Sequence, residues 1–540
     1  MNHITRILLE GIVPPTPSPT PPAFGTNLIS VAFFCSTMIW GPALLALLIA
    51  TLPNPRERYN DTFRNIALLT TIGMLIVNLL TYSNFQTFGA ALQYEEKVPW
   101  LPGLGVIYHL GLDGMGMGVL MLSSIVGVAA VLGSWNVRTR VRSYFSLLLL
   151  LQGCVNGVIV SHDAFVDALF LSAAVLPAGL LVTGWGGPAR ARAGARLVGY
   201  WGLGAAAFWA AIFVLWSGTG SASFDLDVLL RATPALGVQV AAGALLLVTA
   251  ATWLPLFPFH GWARDALSEA TPGVTVLLVG SASRLGGYLL LRIFVLGEHN
   301  GAVRLGSAMA GLAVATALYA GVLALAQLRA RGDLRRIAAT LALLPGAVTL
   351  LAIAGETPMA ILGAIFALYA GGLAAALLVS AAATTAERAE TRSLAVLGGI
   401  GLRAPILAWI VILGGLAVLG MPGFASYLAW LTTLLGSIRT EPGGTFGVAV
   451  GMVLCGAAVA GLFWRVLFAP PTGERATVTE STIPERLYLS VLVTALIWVG
   501  IVPSGPKVAG VPIFDPGYAN VANSSTTTEA DQYAIPVPKR

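Results

Sequence analysis

Charged residues are scarce in this chain of 540 residues: Asp, Glu, Lys and Arg make up 10% of it, whereas 56% is hydrophobic. A soluble domain carries about 25% charged residues. This deficit and a mean hydropathy of +0.82 exclude a soluble globular protein and indicate a polytopic membrane protein. The net charge of +6 comes from arginines that stand singly or in small groups between apolar runs, so no nucleic-acid surface is expected.

Cysteines and histidines are also few, with three and five in the whole chain. The cysteines stand far apart in apolar runs, which predicts small core side chains and neither a disulfide nor a metal set. Three of the histidines stand in loops or at helix ends and are too widely separated in sequence to suggest a metal site, so no metal is expected. The cysteines are Cys35, Cys154 and Cys455, and these histidines are His109, His162 and His299.

Long polar stretches are also missing between the apolar runs and occur only at the two ends of the sequence. Residues 1–26 form a proline-rich leader without the pattern of a cleavable signal, and residues 504–540 form a polar tail rich in Asn, Ser and Thr. No stretch between the apolar runs is long enough for a folded soluble domain, which excludes a redox or nucleotide-binding module there. Glycine pairs such as Gly371-Gly372 lack a following Lys-Ser/Thr and indicate close helix packing.

What the sequence does contain is a series of apolar runs. A membrane helix needs roughly 20 mostly apolar residues, and this criterion predicts an all-α polytopic membrane protein with about fourteen spans. The predicted spans are 27–51, 63–82, 113–134, 142–161, 163–183, 197–217, 237–268, 271–294, 306–328, 334–353, 358–381, 404–438, 445–468 and 486–503.

Two of these runs, the seventh and the twelfth, are interrupted. The seventh contains Pro255 and Pro258, and the twelfth contains Pro422 and Gly423. Proline removes a backbone donor and clashes with the preceding turn, so neither helix can continue unbroken. Unwound backbone at membrane depth is tolerated only where protein or a water-filled cavity satisfies it. Two broken helices in corresponding halves indicate a transporter-type fold with an ion or substrate path.

Basic residues are distributed unevenly between the connections. Arginines cluster after odd-numbered spans, whereas connections after even-numbered spans hold little beyond Lys97, Arg231, Arg304 and Arg439. By the positive-inside rule, the connections after odd-numbered spans face the cytoplasm and both termini lie on the periplasmic side. The arginines after odd-numbered spans are Arg56, Arg58, Arg138, Arg140, Arg142, Arg190, Arg192, Arg196, Arg329, Arg331, Arg335, Arg336, Arg388, Arg392, Arg475 and Arg486.

Five short motifs resemble the M-type subunit of respiratory complex I, NADH-quinone oxidoreductase. They occur in order and at family spacing between about residues 93 and 500, next to the third, seventh, eighth, tenth and twelfth helices of that family. The motifs are Glu95–Trp100 with Tyr108–Gly114, Phe257–Trp262 with Asp265 and Glu269, Leu285–Tyr288 with Arg292, Asp333–Arg336, and Gly420 with Pro422 and Gly423.

The resemblance implies two inverted five-helix repeats, helices 4–8 at residues 135–294 and helices 9–13 at residues 295–468. Helices 1–3 would precede them at 27–134, and a loop with helix 14 would follow at 469–503. In such proteins each repeat forms half of a proton path, and a central row of charged residues links the halves. The resemblance also implies L-like and N-like neighbours in the bacterial inner membrane. No cofactor is expected in this chain, because partner subunits hold NADH, FMN, iron–sulfur clusters and quinone.

The sequence departs from this family along the central charged row. The helix-eight lysine is replaced by Arg284, and residues 365–380 of helix eleven include no lysine, histidine or carboxylate. Proton transfer needs groups that change protonation state, or tightly linked waters. We therefore predict that the chain keeps the architecture and that its own proton channel is impaired or lost. The positions expected to hold the glutamate of helix five, the lysine of helix seven, the histidine of helix ten and the glutamate of helix twelve are Ser172, Trp253, Pro345 and Trp430.

Five residues remain as candidates for a proton path: His260, Arg284, Asp167, Asp265 and Glu269. His260 is interpreted either as a relay or as a structural cap of the break. Arg284 is a cation within an apolar helix, so it needs a partner such as Asp265, Glu269 or a carboxylate of a neighbouring subunit, or else it snorkels. Asp167 is interpreted as a displaced substitute for the missing helix-five glutamate. No catalytic residue is expected in this chain.

Two other functions stay open. In the first, the chain is a divergent antiporter-like subunit of another assembly, such as a cation/proton antiporter, a membrane-bound hydrogenase or an inorganic-carbon uptake complex. In the second, it is a purely structural paralogue that accompanies an intact M-type subunit.

Overall fold

The computed structural model describes residues 33–85, 92–221, 223–295, 297, 299–329, 332–470 and 478–501. The expected leader at 1–26 and polar tail at 504–540 lie outside these residues. Within them, 13 helices are long and apolar enough to span a membrane, and the two halves of a broken helix add a further span. The helices are α1 Phe34–Thr51, α2 Asn60–Asn84, α3 Gly114–Gly133, α4 Val141–Val160, α5 Ala164–Trp185, α6 Arg190–Thr219, α7 Leu236–Trp253 and Gly261–Glu269, α8 Pro272–Val295, α9 His299–Arg329, α10 Leu334–Gly355, α11 Pro358–Arg388, α12 Pro405–Val418 and Ala425–Ser437, α13 Pro442–Phe468, and α14 Ile483–Ile501.

The predicted polytopic helical fold is confirmed, and the observed helices differ from the predicted spans mainly at their ends. Helix α6 begins at Arg190 instead of residue 197, and α11 continues to Arg388 instead of residue 381. Hydropathy detects only the part of a helix that lies in hydrocarbon, whereas arginine and glutamate favour helix and extend it beyond that part. The three cysteines are buried and form no disulfide within the described chain, as predicted.

A β-hairpin precedes α3 and was not predicted from the sequence. Strands β1 (Gln93–Leu101) and β2 (Val106–Leu112) pair antiparallel around a left-handed Gly105, with Lys97 opposite His109. The hairpin is anchored on α1, because a Glu96 oxygen accepts a hydrogen bond from the Ser36 amide at 3.1 Å. β1 carries three consecutive charged residues, and β2 is apolar on both sides of its single histidine, so neither gives the apolar alternation of a sheet that lies over a core.

The connections form two opposite surfaces. We call the first the hairpin face: it contains β1 and β2 with residues 161–163, 223–235, 356–357 and 438–441. We call the second the arginine face: it contains residues 52–59, 134–140, 186–189, 270–271, 332–333, 389–404 and 478–482. The arginine face carries the arginine-rich connections after odd-numbered helices.

Helices α4–α8 and α9–α13 are inverted repeats. Helix α5 starts at the hairpin face behind Asp163, and α10 starts at the arginine face behind Asp333. Each aspartate accepts hydrogen bonds from two amides of the first turn and forms an isolated β-bridge, Asp163 with Asp225 and Asp333 with Ser393. The correspondence continues in the broken α7 and α12, and in the π-helical turns at Leu290–Val295 and Trp464–Phe468 that end α8 and α13.

Both predicted breaks are present, and protein groups satisfy part of the exposed backbone. Between the halves of α7, the Phe257 amide donates to the Thr316 hydroxyl of α9 at 3.0 Å. Pro255 and Pro258 lie in this segment. The break in α12 contains Pro422 between two glycines with positive φ, Gly420 and Gly423. A side chain at Gly420 would overlap the indole of Trp430, so glycine is required there for both conformation and space.

Candidate proton path

Asp167 is a fully buried carboxylate near the hairpin-face end of α5. It is 0% exposed, and neither carboxylate oxygen has a hydrogen-bond partner among the described residues. It lies one helical turn from Asp163, which caps the helix. A buried carboxylate without hydrogen-bond partners is costly when charged. Of the predicted candidates, Asp167 is the one carboxylate that is completely buried in the described structure.

Ser172 and Trp253 occupy the positions where the resemblance expects a glutamate and a lysine. The Ser172 hydroxyl accepts a hydrogen bond from the Trp209 indole at 3.1 Å. Trp253 is 0% exposed and stacks on Trp201, with ring centroids 4.1 Å apart and an interplanar angle of 15°. The Trp262 ring completes the cluster edge-on to Trp201 at 5.2 Å. Stacked indoles therefore fill the volume around position 253 and supply no titratable group.

Arg284 is 0% exposed in the middle of α8, where a short 3-10 turn interrupts the helix. Its Nε donates to the Val279 carbonyl at 3.3 Å, and its two terminal nitrogens have no hydrogen-bond partner among the described residues. The segment Pro272–Gly280 ends just before it, so the negative end of that helix dipole offsets part of the charge. Among the described residues, the guanidinium is thus held by backbone and not by a carboxylate, and a partner from a neighbouring subunit stays a prediction.

The predicted pairing of Arg284 with Asp265 or Glu269 is wrong. Both carboxylates lie at the arginine face, on the outer half of α7, and both have other partners there. Asp265 forms an ion pair with Arg196, and Glu269 accepts from Arg392 at 2.6 Å. The outer half of the broken helix carries these two residues away from Arg284 and toward the arginine face.

Pro345 and Trp430 line a small cavity at the centre of the second repeat. Its volume is about 10 Å³, which is at the lower limit for one water molecule. Its other walls include Ala367 and Gly371 of α11, and a side chain at Gly371 would approach a terminal nitrogen of Arg284 to 3.8 Å. The one titratable side chain of residues 365–380 is the phenol of Tyr369, whose ordinary pKa is near 10. A water chain does not fit here.

His260 follows the break in α7 and is 8% exposed. Its ring stacks on Phe257 at 5.7 Å and contacts Tyr319 at 4.3 Å between centroids. It makes no side-chain capping bond to the following helix, and its Nδ1 atom is buried without a hydrogen-bond partner in the described structure. The structure therefore does not show His260 capping the helix that follows. A relay would require a proton donor or acceptor for the imidazole, and these ring contacts do not supply one.

A cluster of ion pairs on the hairpin face was missed. The rings of His109 and His162 lie 5.6 Å apart, although the two residues are widely separated in the sequence. His109 Nδ1 lies 3.2 Å from an Asp225 oxygen, and its Nε2 lies 3.0 Å from Glu95. The Lys97 ammonium lies 2.7 Å from the other Asp225 oxygen. The lysine therefore places a positive charge directly against the Asp225 carboxylate.

The buried surroundings shift the pKa values of this hairpin-face cluster. Burial alone would raise the pKa of Asp225, but hydrogen bonds from His109 and Lys97 outweigh it and hold the pKa at about 2. Burial raises the pKa of Asp163 to about 6, although three backbone amides oppose the shift. Burial and the neighbouring Arg292 guanidinium hold the pKa of His162 well below its ordinary value. Asp225 is therefore the permanently charged centre of the cluster.

Asp225→Asn is expected to destabilise the chain by about 2 kcal/mol at pH 7, because charge-assisted hydrogen bonds are lost. Asparagine can still cap the short helix Leu226–Arg231, so the charge is what changes. The Asp225 pKa is depressed in the folded state, so its contribution is complete above pH 3.8 and is lost as the pH falls toward 2. Unfolding in mild detergent at pH 7, 5 and 3 measures this difference, with the exposed Asp227→Asn as control. A gap between variant and wild type that does not narrow from pH 5 to pH 3 would contradict the assignment.

The titratable groups do not form one continuous row. Among the described residues most of them lie toward the two faces, and Arg284, His260 and Tyr369 lie between the faces. At the centre of the second repeat, the described residues supply Tyr369 and a cavity of about 10 Å³. The arrangement can hold protons locally, but it lacks the closely spaced groups that transfer across the membrane centre requires.

Comparison with known proteins gives the family. Residues 161–455, more than half of the chain, match the family described as NADH:quinone oxidoreductase/Mrp antiporter, TM. The chain is 29% identical over 464 residues to NAD(P)H-quinone oxidoreductase chain 4 1 of Synechococcus elongatus, covering 83% of this chain and 84% of the relative. It is 25% identical over 464 residues to NADH-quinone oxidoreductase subunit M of Rickettsia bellii, covering 85% and 92%.

Two solved structures share the fold. A chain of respiratory complex I from Thermus thermophilus aligns with a TM-score of 0.79 and 23% identity, covering 90% of this chain and 99% of that one. A chain of the Mrp complex from Dietzia sp. aligns with a TM-score of 0.77 and 16% identity, covering 93% and 99%. The resemblance found in the sequence motifs is thereby confirmed. The chain belongs to the NADH:quinone oxidoreductase/Mrp antiporter family of transmembrane proteins, as a relative of its chain 4, or M-type, antiporter-like members.

Proposed function

We propose that the chain is the M-type membrane-arm subunit of an NADH-quinone oxidoreductase, and that its own proton channel is impaired. Its role is to pack between like subunits and extend the membrane arm of the proton-translocating module. The relatives named chain 4 and subunit M support this assignment, since each alignment covers most of this chain and most of the relative.

Close packing of side chains at the centre of the chain supports the proposed loss of the proton channel. Stacked indoles surround position 253, and Pro345 and Trp430 close around a cavity of about 10 Å³. Proton transfer through such a region would require titratable groups within hydrogen-bond reach of each other or joined by single waters. The described residues of the second repeat do not supply them at its centre.

The same proposal covers partners and location. NADH, FMN, iron–sulfur clusters and quinone would be bound by partner subunits, and this chain would hold no cofactor. Its neighbours would be an L-like and an N-like membrane subunit. The arginine face would lie toward the cytoplasm of a bacterial inner membrane, because basic residues are retained on that side, and both termini would be periplasmic.

A second candidate is a divergent subunit of an Mrp-type or other antiporter-like complex. It is favoured by the nearly equal structural agreement with the Mrp chain, at a TM-score of 0.77 against 0.79. This likeness is one of fold alone. An antiporter also needs an exchange path for ions, and the closed centre of the second repeat counts equally against that activity.

Purification of the chain from its native membranes in mild detergent, followed by mass spectrometry, tests the assignment. We expect subunits that bind NADH and quinone to be recovered with it, in constant ratio across a sizing column. Membranes without a tag on the chain provide the control. Recovery with antiporter or hydrogenase subunits instead would contradict the complex I assignment and favour the second candidate.

A further inference from the structure

The arginine face contains a polar cavity that the proton path does not use. Its volume is about 240 Å³, many times that of the cavity beside Pro345. Three elements form its walls: the first turns of α6, the outer half of α7 and the first turn of α10. The charged side chains that line it are Arg192, Arg196, Arg264, Asp265, Glu269 and Arg336.

The charges lining this cavity do not balance. Four arginines face two carboxylates, which leaves a surplus of two positive charges. Both carboxylates are already engaged, Asp265 by Arg196 and Glu269 by Arg392 from outside the cavity. A cation would meet a positive lining whose acidic groups are occupied. An anion would meet guanidinium groups instead.

Three guanidinium groups have donors to spare. Arg264 donates from Nη1 to the Tyr319 hydroxyl at 2.9 Å, and its Nε is buried without a hydrogen-bond partner in the described structure. Arg336 has only a loose contact with Asp333 at 3.9 Å. Arg192 is exposed at the rim. Guanidinium groups match the oxygens of phosphate with paired hydrogen bonds, so their convergence on one cavity suits a phosphate group better than a halide.

We propose that this cavity binds a phosphate group, held by Arg192, Arg264 and Arg336. The group can come from the headgroup of an anionic phospholipid or from inorganic phosphate. Basic pockets between transmembrane helices are suited to anionic headgroups at the membrane surface. The proposal does not depend on the complex in which the chain works, because every contributing residue belongs to this chain.

Binding to the full-length chain, purified in mild detergent with its bound subunits, tests the proposal. Delipidated protein is titrated with phosphatidylglycerol in mixed micelles in one arm and with inorganic phosphate in the other, and bound ligand is counted by native mass spectrometry and equilibrium dialysis. The test variant is Arg192→Gln with Arg264→Gln. Arg138→Gln is the matched control, since Arg138 is exposed on the same face but does not line the cavity.

We expect saturable binding that weakens about tenfold or more in the double variant, because two charge-assisted contacts are lost, and that is unchanged in Arg138→Gln. Saturation by phosphatidylglycerol alone identifies a lipid headgroup site, and saturation by inorganic phosphate identifies a free-anion site. Both results support phosphate recognition. The proposal is overturned if neither ligand saturates the wild type, or if Arg138→Gln weakens binding as much as the double variant. The single variant Arg192→Gln changes an exposed side chain at the rim, and it provides the same comparison if the double variant does not fold.

Discussion

Proteoliposomes that contain the complex formed by this chain are expected to translocate fewer protons per NADH oxidised than a complex whose M-type subunit carries the full charged row. The deficit should equal the share of one antiporter-like subunit. The reason is local: Trp253, Pro345 and Trp430 stand where titratable groups are expected, and the cavity between the last two is at the lower size limit for one water. Parallel measurement of internal pH and NADH oxidation gives the ratio.

The variant Arg284→Met separates a lost channel from a rerouted one. If no proton path passes this guanidinium, the ratio of protons to electrons should not change, and removing an isolated buried charge should not destabilise the protein. The NADH–quinone electron transfer rate reports whether the complex is still assembled. A ratio that falls in Arg284→Met, at an unchanged electron transfer rate, would contradict the loss of the channel and place Arg284 on a working path.

Glu485→Gln is expected to destabilise the chain by about 3–5 kcal/mol, because it leaves a guanidinium without its partner. Glu485 is 5% exposed, and its two oxygens accept from Arg388 at 2.7–3.1 Å. They also accept from the Asn136 amide at 2.9 Å and from the Thr482 backbone at 2.7 Å. This one carboxylate therefore ties α14 to α11 and to the connection after α3. The measurement is thermal unfolding in mild detergent.

Glu390→Gln is the control for this prediction, since Glu390 is exposed on the same face and near Arg388 in sequence. It should shift the unfolding midpoint little, as surface charges contribute about 0–1 kcal/mol. The double variant Glu485→Gln with Arg388→Met should recover part of the loss, because the unpaired cation is then removed. Equal midpoints for Glu485→Gln and Glu390→Gln would show that the network does not hold α14.

Hydropathy and proline placement were enough to predict the helices and both breaks, because these depend on residues that are neighbours in the chain. The hairpin was not predicted from the sequence, because β1 is exposed and charged and so lacks the apolar pattern of a buried strand. The hairpin-face cluster depends on three distant segments that meet only after folding. Connections alternate between the two faces, and this alternation could have predicted the cluster. Residues 109, 162 and 225 each lie in a connection after an even-numbered helix, so all three are expected on the same face.

Arg284 illustrates a different limit of sequence reasoning. A cation in an apolar helix predicts a carboxylate partner, and Asp265 and Glu269 precede Arg284 in the chain. The structure satisfies the charge partly with a carbonyl and the end of a helix segment, groups that every sequence contains and no pattern reveals. Burial of Asp167 was similarly beyond prediction, because it depends on which side of α5 meets its neighbours.

The indole packing in the centre of the chain has an electrical consequence. An energised membrane stores work as voltage, and one elementary charge that crosses 100 mV releases about 2.3 kcal/mol. A column of water through an idle subunit would let that voltage discharge as a leak. Trp253 stacked on Trp201, and Trp430 closed against Gly420, fill with side chains two of the places where such a column would run. A membrane arm that gains length from this subunit would therefore be insulated at these two places.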